Sequence, residues 1–280
     1  MVRRGVALIL VAVGLPVLLP GAAAQAAALP PWSQAELGIA RTLTGFAPER
    51  QHVPRPPAGC EARIEVGPGR GGSRVTIVGA SFTAGVGAGN PDRSWAVLLA
   101  RMEHWDAVIY GDPGAGYVRP GVRHQGPVAH ELARVGLRAL RPALVIVQAG
   151  HNDIGEPLPV VQSRVAQAIA LIQTEAPQAR IALLTVFPGR SHAPRVYQTD
   201  QAIVTAAQAA DPGVIIMDPL TGHWSFPRAR DRLHPTVTGD AQIALKVAGI
   251  LRAYELVPAP AGGGGLICDT AIAVPPPQPR

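Results

Sequence analysis

The sequence predicts an α/β fold of the flavodoxin-like, doubly wound type, with about five parallel strands and helices on both faces of the sheet. Short aliphatic and β-branched runs alternate with amphipathic helical patterns from Arg74 to Tyr254. The strand runs are apolar throughout, as is typical of parallel strands buried on both faces. Such alternation builds a sheet whose ligands bind beyond the carboxyl ends of its strands.

The first half of this region contains three predicted strands and two predicted helices. Glycine or polar residues follow each strand, and each helix has one apolar face. In chain order they are a strand at Arg74–Gly79, a helix at Ser94–His104, a strand at Ala107–Tyr110, a helix at Val128–Leu140 and a strand at Ala143–Gln148.

The second half continues the same alternation. A proline follows the first helix and another follows the first strand of this half. Proline lacks the backbone N–H that either element needs to continue, so both should end there. The elements are a helix at Leu158–Glu175, a strand at Ile181–Phe187, a helix at Ala193–Ala210, a strand at Val214–Met217 and a helix at Val237–Tyr254.

The amino terminus has the pattern of a secretory signal peptide over residues 1–28. Arg3 and Arg4 precede an apolar stretch from Val6 to Leu19, and small residues suited to cleavage follow. A transmembrane anchor is the alternative, but a glycine and a proline interrupt the stretch, which falls short of the roughly 20 residues that span a bilayer. We therefore expect an exported protein, secreted or held in the cell envelope.

Residues 29–73 form a predicted N-terminal extension with one modest helical pattern, and residues 74–256 form the predicted principal domain. Residues 257–280 form a Gly/Pro-rich tail without a predicted element. Cys60 and Cys268, the two cysteines of the chain, flank the principal domain. An even cysteine count in an exported protein predicts a disulfide, with two free thiols as the alternative.

Charge and composition exclude several function classes. The formal net charge is +6 and arginine carries almost all of the basic balance, since Lys246 is the sole lysine. The arginines are scattered without aromatic interleaving, so nucleic-acid binding is not predicted. His192 and His223 lack the spacing of metal ligands, and no metal or other cofactor is predicted.

Polar residues collect where the predicted strands end, so four loops should meet on one edge of the sheet. The first loop contains Gly79-Ala80-Ser81, and the second contains Gly114-Ala115-Gly116-Tyr117. The third reads Gly150-His151-Asn152-Asp153, and Asp231-Arg232-Leu233-His234 precedes the last helix.

These residue types fit acyl transfer through a serine. Ser81 is the candidate nucleophile, His234 the candidate general base and acid, and Asp231 the group that orients the imidazole. A tetrahedral intermediate also needs donors aimed at its oxyanion. The candidates are the backbone N–H groups of Ser81 and Gly114 and the side-chain amide of Asn152.

This set of motifs resembles the SGNH hydrolases, the GDSL-like esterase and lipase family. The residues that flank the motifs are similar to those of exported members from GC-rich bacteria. The resemblance covers residues 74–254. The family has four motifs. Its Gly-Asp-Ser motif corresponds to Gly79-Ala80-Ser81 and its single glycine to Gly114. Its Gly-x-Asn-Asp motif corresponds to Gly150-His151-Asn152-Asp153, and its Asp-x-x-His motif to Asp231-Arg232-Leu233-His234. One departure is Ala80, which stands where the family has aspartate and removes a polar anchor beside the nucleophile.

The resemblance implies a monomeric, cofactor-free serine esterase that acts on O-acyl groups of envelope glycans or on short-chain lipid esters. A glycan O-acyltransferase using the same residues is one alternative. A catalytically weak glycan-binding or structural domain is the other. His151 either lines the substrate pocket or faces solvent, while Tyr117 and Trp224 either form an apolar acyl wall or pack in the core.

Overall fold

A computed structural model describes residues 63–66, 74–122, 126–189, 193–254, 256 and 264–267 of the 280-residue chain. The predicted signal peptide, the helical pattern of the extension and both cysteines lie outside these residues. No helix in the described ranges has the length and apolar character needed to cross a bilayer.

A seven-stranded sheet forms the centre of the molecule, in the order β6-β5-β4-β2-β3-β1-β7. Five neighbouring strands, β2 to β6, are parallel, whereas β1 and β7 are antiparallel and extend one edge. The strands are β1 (Arg63–Val66), β2 (Arg74–Gly79), β3 (Asp106–Gly111), β4 (Leu144–Gln148), β5 (Arg180–Leu184), β6 (Ile215–Met217) and β7 (Gly264–Ile267).

The parallel part has the flavodoxin-like order, which confirms the predicted fold class. The chain passes from β2 to β3 on one side of β2, and then crosses to β4 on the other side. The strand order therefore reverses between β2 and β4. In open α/β sheets ligands bind in the crevice beyond such a reversal, and the loops carrying Ser81 and Asn152 leave the sheet there.

Six described helices cover the sheet, and two of them begin with a side-chain cap. Ser94 Oγ accepts the Val97 N–H at the first helix, and Thr236 Oγ1 accepts the Gly239 N–H at the last. The helices are α1 (Trp95–Met102), α2 (Val128–Val135), α3 (Leu137–Leu140), α4 (Leu158–Glu175), α5 (Pro194–Ala210) and α6 (Val237–Ala253).

The predicted helix Val128–Leu140 is two helices in the structure. Gly136 separates α2 from α3 and has a left-handed backbone, with φ of +77°. That conformation cannot continue a right-handed helix, and glycine adopts it without a steric penalty.

Two hydrophobic clusters fill the spaces on either side of the sheet. One packs α1 and α6 against the sheet around Trp95 and Ile243. The other packs α2, α4 and α5 around Val147 and Ile169. Helices on both faces of a parallel sheet are the arrangement that its apolar strands predict.

The edge strands β1 and β7 differ from the sequence-based expectation, which had no strand at either place. Arg63 pairs with both Tyr110 and Ile267, so β1 joins the parallel sheet to β7. Each strand has four residues. Because their pairing partners lie far away in the chain, local sequence patterns contain little of the information that specifies them.

Candidate active site

Ser81 lies two residues after the end of β2, at the start of a tight turn. Ser81 is 8% exposed, so only a small part of the residue is accessible to solvent. Gly79 lets the turn form: a Cβ there would lie 2.3 Å from Thr83 Oγ1 and 2.9 Å from the Gln148 carbonyl oxygen. Any larger residue would force apart the strand and the turn that holds the serine.

His234 and Asp231 lie on one short loop before α6. Asp231 Oδ1 accepts the backbone N–H groups of Leu233 (2.9 Å) and His234 (3.0 Å), which closes the turn. The other carboxylate oxygen, Oδ2, lies 2.7 Å from His234 Nδ1. These hydrogen bonds, with that of His234 foremost, lower the pKa of Asp231 to about 2, so the carboxylate is charged at neutral pH.

A continuous series of hydrogen bonds joins this loop to Ser81, although the two lie 153 residues apart in the chain. His234 Nε2 is 2.7 Å from Ser81 Oγ. The loops can approach this closely because residue 87 is glycine: a Cβ there would lie 2.8 Å from His234 Cβ and 2.0 Å from the Pro235 carbonyl oxygen. The structure thus brings Ser81, His234 and Asp231 together in the order that the sequence predicts.

The second and third loops are joined by Asp153. Its carboxylate accepts the N–H groups of Tyr117 (2.7 Å), Val118 (2.9 Å) and Arg119 (3.3 Å). Burial raises the pKa of Asp153, and these N–H groups oppose the rise by stabilising the charged form. A side chain on Gly116 would overlap the Asp153 carboxylate, so glycine permits the contact.

The three donors predicted for an oxyanion lie in the loops that follow β2, β3 and β4. The backbone N–H groups of Ser81 and Gly114 make no hydrogen bond to another residue that the structure describes. Gly114 has φ of +83°, a conformation that favours glycine. Asn152 Nδ2 donates one of its two hydrogens to the carbonyl of Ala115, the residue after Gly114, at 2.7 Å, and the second hydrogen has no partner among the described residues.

His151 and Tyr117 have different surroundings. His151 Nδ1 lies 3.3 Å from the Phe187 carbonyl, and since a carbonyl only accepts, Nδ1 carries the proton. Burial lowers the pKa of His151, so the ring is neutral and its Nε2 is an acceptor. Tyr117 is 1% exposed and packs in the core, so its ring does not form a wall of an open pocket.

An aromatic cluster lies directly behind His234. The Phe82 ring is 5.3 Å from the His234 ring and stacks on Phe187 at 4.1 Å between centroids. Phe226 and Trp224 pack edge-on against Phe187, and Trp224 is 8% exposed, so it belongs to the packed cluster. This side of the serine is therefore filled and apolar.

Gln148 is a buried residue of the site region that the sequence patterns do not indicate. It is the last residue of β4 and is 1% exposed, and its side-chain oxygen contacts the Ser81 turn. The available signal is one polar residue closing the otherwise apolar run Leu144–Val147. Within the described part of the chain, no cluster of three or more His, Cys, Asp or Glu side chains is placed to hold a metal ion.

Comparison with known proteins extends these observations. Residues 77–242 match the model of the GDSL-like Lipase/Acylhydrolase family. The GDSL lipase Rv0518 of Mycobacterium tuberculosis is 30% identical over 202 residues, which cover 65% of this chain and 83% of that protein.

Two solved structures share the fold at 18% identity. A carbohydrate esterase family 2 enzyme with a carbohydrate-binding domain, from Corynascus thermopiles (Myceliophthora fergusii), aligns with a TM-score of 0.53 over 65% of this chain and 67% of its own. The salicylyl-acyltransferase SsfX3 of a tetracycline biosynthetic pathway aligns with a TM-score of 0.51 over 66% of this chain and 56% of its own.

Proposed function

We propose that this chain, which belongs to the GDSL-like lipase/acylhydrolase family, is a serine esterase that hydrolyses carboxylic esters through an acyl-serine intermediate. The observation that carries the proposal is the series of hydrogen bonds from Asp231 through His234 to Ser81, with both distances 2.7 Å. Such a series lets a weakly nucleophilic hydroxyl lose its proton as it attacks.

The reaction divides into two acyl transfers. Ser81 Oγ attacks the ester carbonyl carbon while its proton passes to His234 Nε2, and the charged Asp231 stabilises the imidazolium that results. The tetrahedral intermediate collapses, the C–O bond to the alcohol breaks, and His234 gives the proton to the departing oxygen. Water then attacks the acyl-serine and gives a proton to His234. The bond between the acyl carbon and Ser81 Oγ breaks, His234 returns the proton to Ser81 Oγ, and the carboxylic acid leaves.

Backbone and side-chain donors stabilise the negative charge on the former carbonyl oxygen. The N–H groups of Ser81 and Gly114 and the free hydrogen of Asn152 Nδ2 have this role in the proposal. They are set in place before the substrate binds, so little reorganisation is needed when charge develops. Removing one such donor typically costs on the order of 10²–10³ in kcat.

The filled side of the site supports substrates with short acyl groups. The Phe82 and Phe187 rings are buried and fill the space beside His234, so a long acyl chain would not fit there. We propose O-acyl groups of envelope glycans, or short-chain lipid esters, as the substrates. Similarity to a lipase by sequence and to a carbohydrate esterase by fold supports these two classes.

A glycan O-acyltransferase is the second candidate, since the same acyl-serine can react with a sugar hydroxyl. In this alternative His151 Nε2, an acceptor, is a candidate partner for the incoming sugar hydroxyl. Analysis of the products with and without a glycan acceptor separates the two: free acid alone indicates hydrolysis, and an acylated glycan indicates transfer.

The test of the proposed nucleophile is Ser81→Ala. Hydrolysis of p-nitrophenyl acetate should fall to the background rate, and a fluorophosphonate probe should label wild type but not the variant. Ser163→Ala, on the exposed surface of α4, is the matched control and should keep wild-type activity. Persistent hydrolysis by Ser81→Ala would show that another group attacks the ester. Failure of the probe to label folded wild type would favour a binding or structural domain.

Export through the signal peptide over residues 1–28 is part of the proposal. Intact-mass measurement of protein recovered outside the cytoplasm tests it. The expected mass corresponds to cleavage near residue 28, and an uncleaved chain retained in the cytoplasm would contradict export.

A further inference from the structure

We propose that Gln148 is a positioning residue for the nucleophile: its side-chain oxygen holds the Ser81 turn so that the serine N–H stays available for the oxyanion. The inference rests on the proposed esterase function. The residue before the serine is alanine, whose methyl group cannot accept a hydrogen bond, so the turn needs a buried acceptor from elsewhere. Strand β4 supplies it.

Three donors from the turn meet at Gln148 Oε1. The backbone N–H groups of Ala80 (3.1 Å) and Thr83 (3.3 Å) donate to it, as does the Thr83 hydroxyl (3.1 Å). The Ala80 N–H is shared with the Gln148 backbone carbonyl at 3.1 Å. Gln148 and Thr83 are each 1% exposed, so water does not compete for these bonds.

These bonds lie on both sides of Ser81 in the chain. Residues 80 and 83 are drawn toward β4, and the Ser81 N–H between them makes no hydrogen bond to another described residue. The Ser81 N–H belongs to the Ala80–Ser81 peptide, which lies between the two anchored N–H groups, and the carbonyl of that peptide accepts the Ala84 N–H at 2.9 Å. His234 separately fixes the Ser81 hydroxyl. Nucleophile and oxyanion donor belong to the same residue, so a rotation of the turn would misplace both.

The strand pairing explains why this particular residue can reach the turn. Gly79 lies opposite Gln148 in the parallel β2–β4 pair, and a Cβ on Gly79 would come 2.9 Å from Gln148 Cβ. The missing side chain at residue 79 opens the space through which the Gln148 carboxamide passes beneath the turn. Gly79 and Gln148 therefore act as a pair in holding Ser81.

The test separates the acceptor from the bulk of the side chain. Gln148→Met keeps the length but removes the acceptor, and we expect kcat for p-nitrophenyl acetate to fall about 10- to 100-fold with KM within about two-fold. Gln148→Glu keeps an oxygen in the same place, and kcat should stay within about five-fold of wild type. Gln178→Met, on a glutamine that donates to the Pro142 carbonyl at the opposite end of β4, should leave both constants unchanged.

Thermal unfolding and probe labelling complete the design. Each variant is compared only if circular dichroism shows wild-type folding, and the rate of fluorophosphonate labelling at Ser81 should fall in parallel with kcat. If Gln148→Met does not fold, Thr83→Val removes one donor of the same set, and a loss of kcat of about three-fold at unchanged KM is expected.

Three results would overturn the inference. The first is a wild-type kcat in folded Gln148→Met, or in Thr83→Val where that variant is used instead. The second is an equal fall in kcat in Gln148→Met and Gln148→Glu. The third is a change in KM without a change in kcat. In each case an active wild type would leave the esterase proposal standing. A wild type that neither hydrolyses esters nor reacts with the probe would remove both.

Discussion

The two carboxylate oxygens of Asp231 contact different partners, so its role in closing the turn can be tested separately from its role in orienting His234. Oδ1 closes the turn through two backbone N–H groups, whereas Oδ2 contacts the His234 ring. The side chain is 46% exposed, so solvent screens its charge and direct contact matters more than long-range attraction. A substitution can therefore preserve the turn and alter the imidazole alone.

Asp231→Asn should lower kcat about 10³-fold while the protein remains folded. The asparagine oxygen can still accept the two backbone N–H groups, but its NH₂ cannot accept from His234 Nδ1. The imidazole would then lose the tautomer that takes the serine proton. Steady-state kinetics and the thermal unfolding midpoint check the prediction, with Asp211→Asn, a turn carboxylate after α5, as the control. A variant with near-wild-type kcat would show that Asp231 only shapes the loop.

Acidification should abolish activity through the histidine while Asp231 stays charged. Protonated His234 cannot take the Ser81 proton, whereas the carboxylate, with its pKa near 2, remains ionised. We expect kcat/KM to fall as the solution is acidified, while the circular dichroism spectrum does not change. A kcat/KM that stays constant on acidification of the folded protein would argue against a histidine base.

The contact between helices α1 and α6 contains a buried carboxyl group. Asp240, in the first turn of α6, accepts the Trp95 N–H at the start of α1 at 2.9 Å through Oδ1. Burial raises the pKa of Asp240 to about 8. The folded state therefore holds a proton that the unfolded chain releases above its ordinary pKa of 3.8.

The sign of the pH dependence follows from this difference. Between about pH 4 and pH 8 the folded state binds more protons at residue 240, so stability falls as pH rises. Asp240→Asn keeps the acceptor for Trp95 and never ionises, so its thermal midpoint should exceed that of wild type by several degrees at pH 8. The gap should close near pH 4. Differential scanning calorimetry across this range checks it, and parallel curves for the two proteins would contradict a buried protonated carboxyl.

The elements that the sequence predicts well are those whose signals are local. Helix α4 has its predicted bounds, Leu158–Glu175, because its apolar period and the following proline lie within its own residues. The predicted strand Ile181–Phe187 ends at Leu184 instead. Beyond that residue, the Thr185 N–H pairs with Met217 and the Val186 N–H with Asp200, contacts that depend on the finished fold.

In the candidate site, too, local sequence signals are predictable and contacts that depend on the finished fold are not. Ser81, His234 and Asp231 are predictable because their residue types and spacing indicate the chemistry. The contacts of Gln148 are not, because they require knowing that it lies opposite Gly79 across two strands. Asp153 is recognisable as part of a motif, but its three backbone partners depend on how two loops fold onto each other.

For the whole molecule, the pairing of β1 with β7 supports the proposed disulfide. Cys60 lies three residues before Arg63, and Cys268 lies one residue after Ile267, the residue that pairs with Arg63. The cysteines themselves lie outside the described residues. A bond between them would close a loop of roughly 200 residues, worth about 5 kcal/mol in the chain-entropy model.

Alkylation of the exported protein tests the disulfide. Without reduction, neither thiol should react with N-ethylmaleimide in denaturant, and after reduction both should react. The Cys60→Ser/Cys268→Ser variant should unfold several degrees below oxidised wild type, and at the same temperature as reduced wild type. Two reactive thiols before reduction would contradict the bond.

The direction of the two antiparallel strands determines where the chain's flanks join the sheet. Arg63 lies beside Tyr110, at the carboxyl end of β3, and Ile267 lies beside Arg63. An affinity tag or surface tether fused directly to β1 or β7 would therefore stand next to the edge at which Ser81 is reached, and would obstruct large substrates. A tether inserted at the opposite end of the sheet, between Arg141 and Ala143 before β4, would leave the edge next to Ser81 facing away from the support.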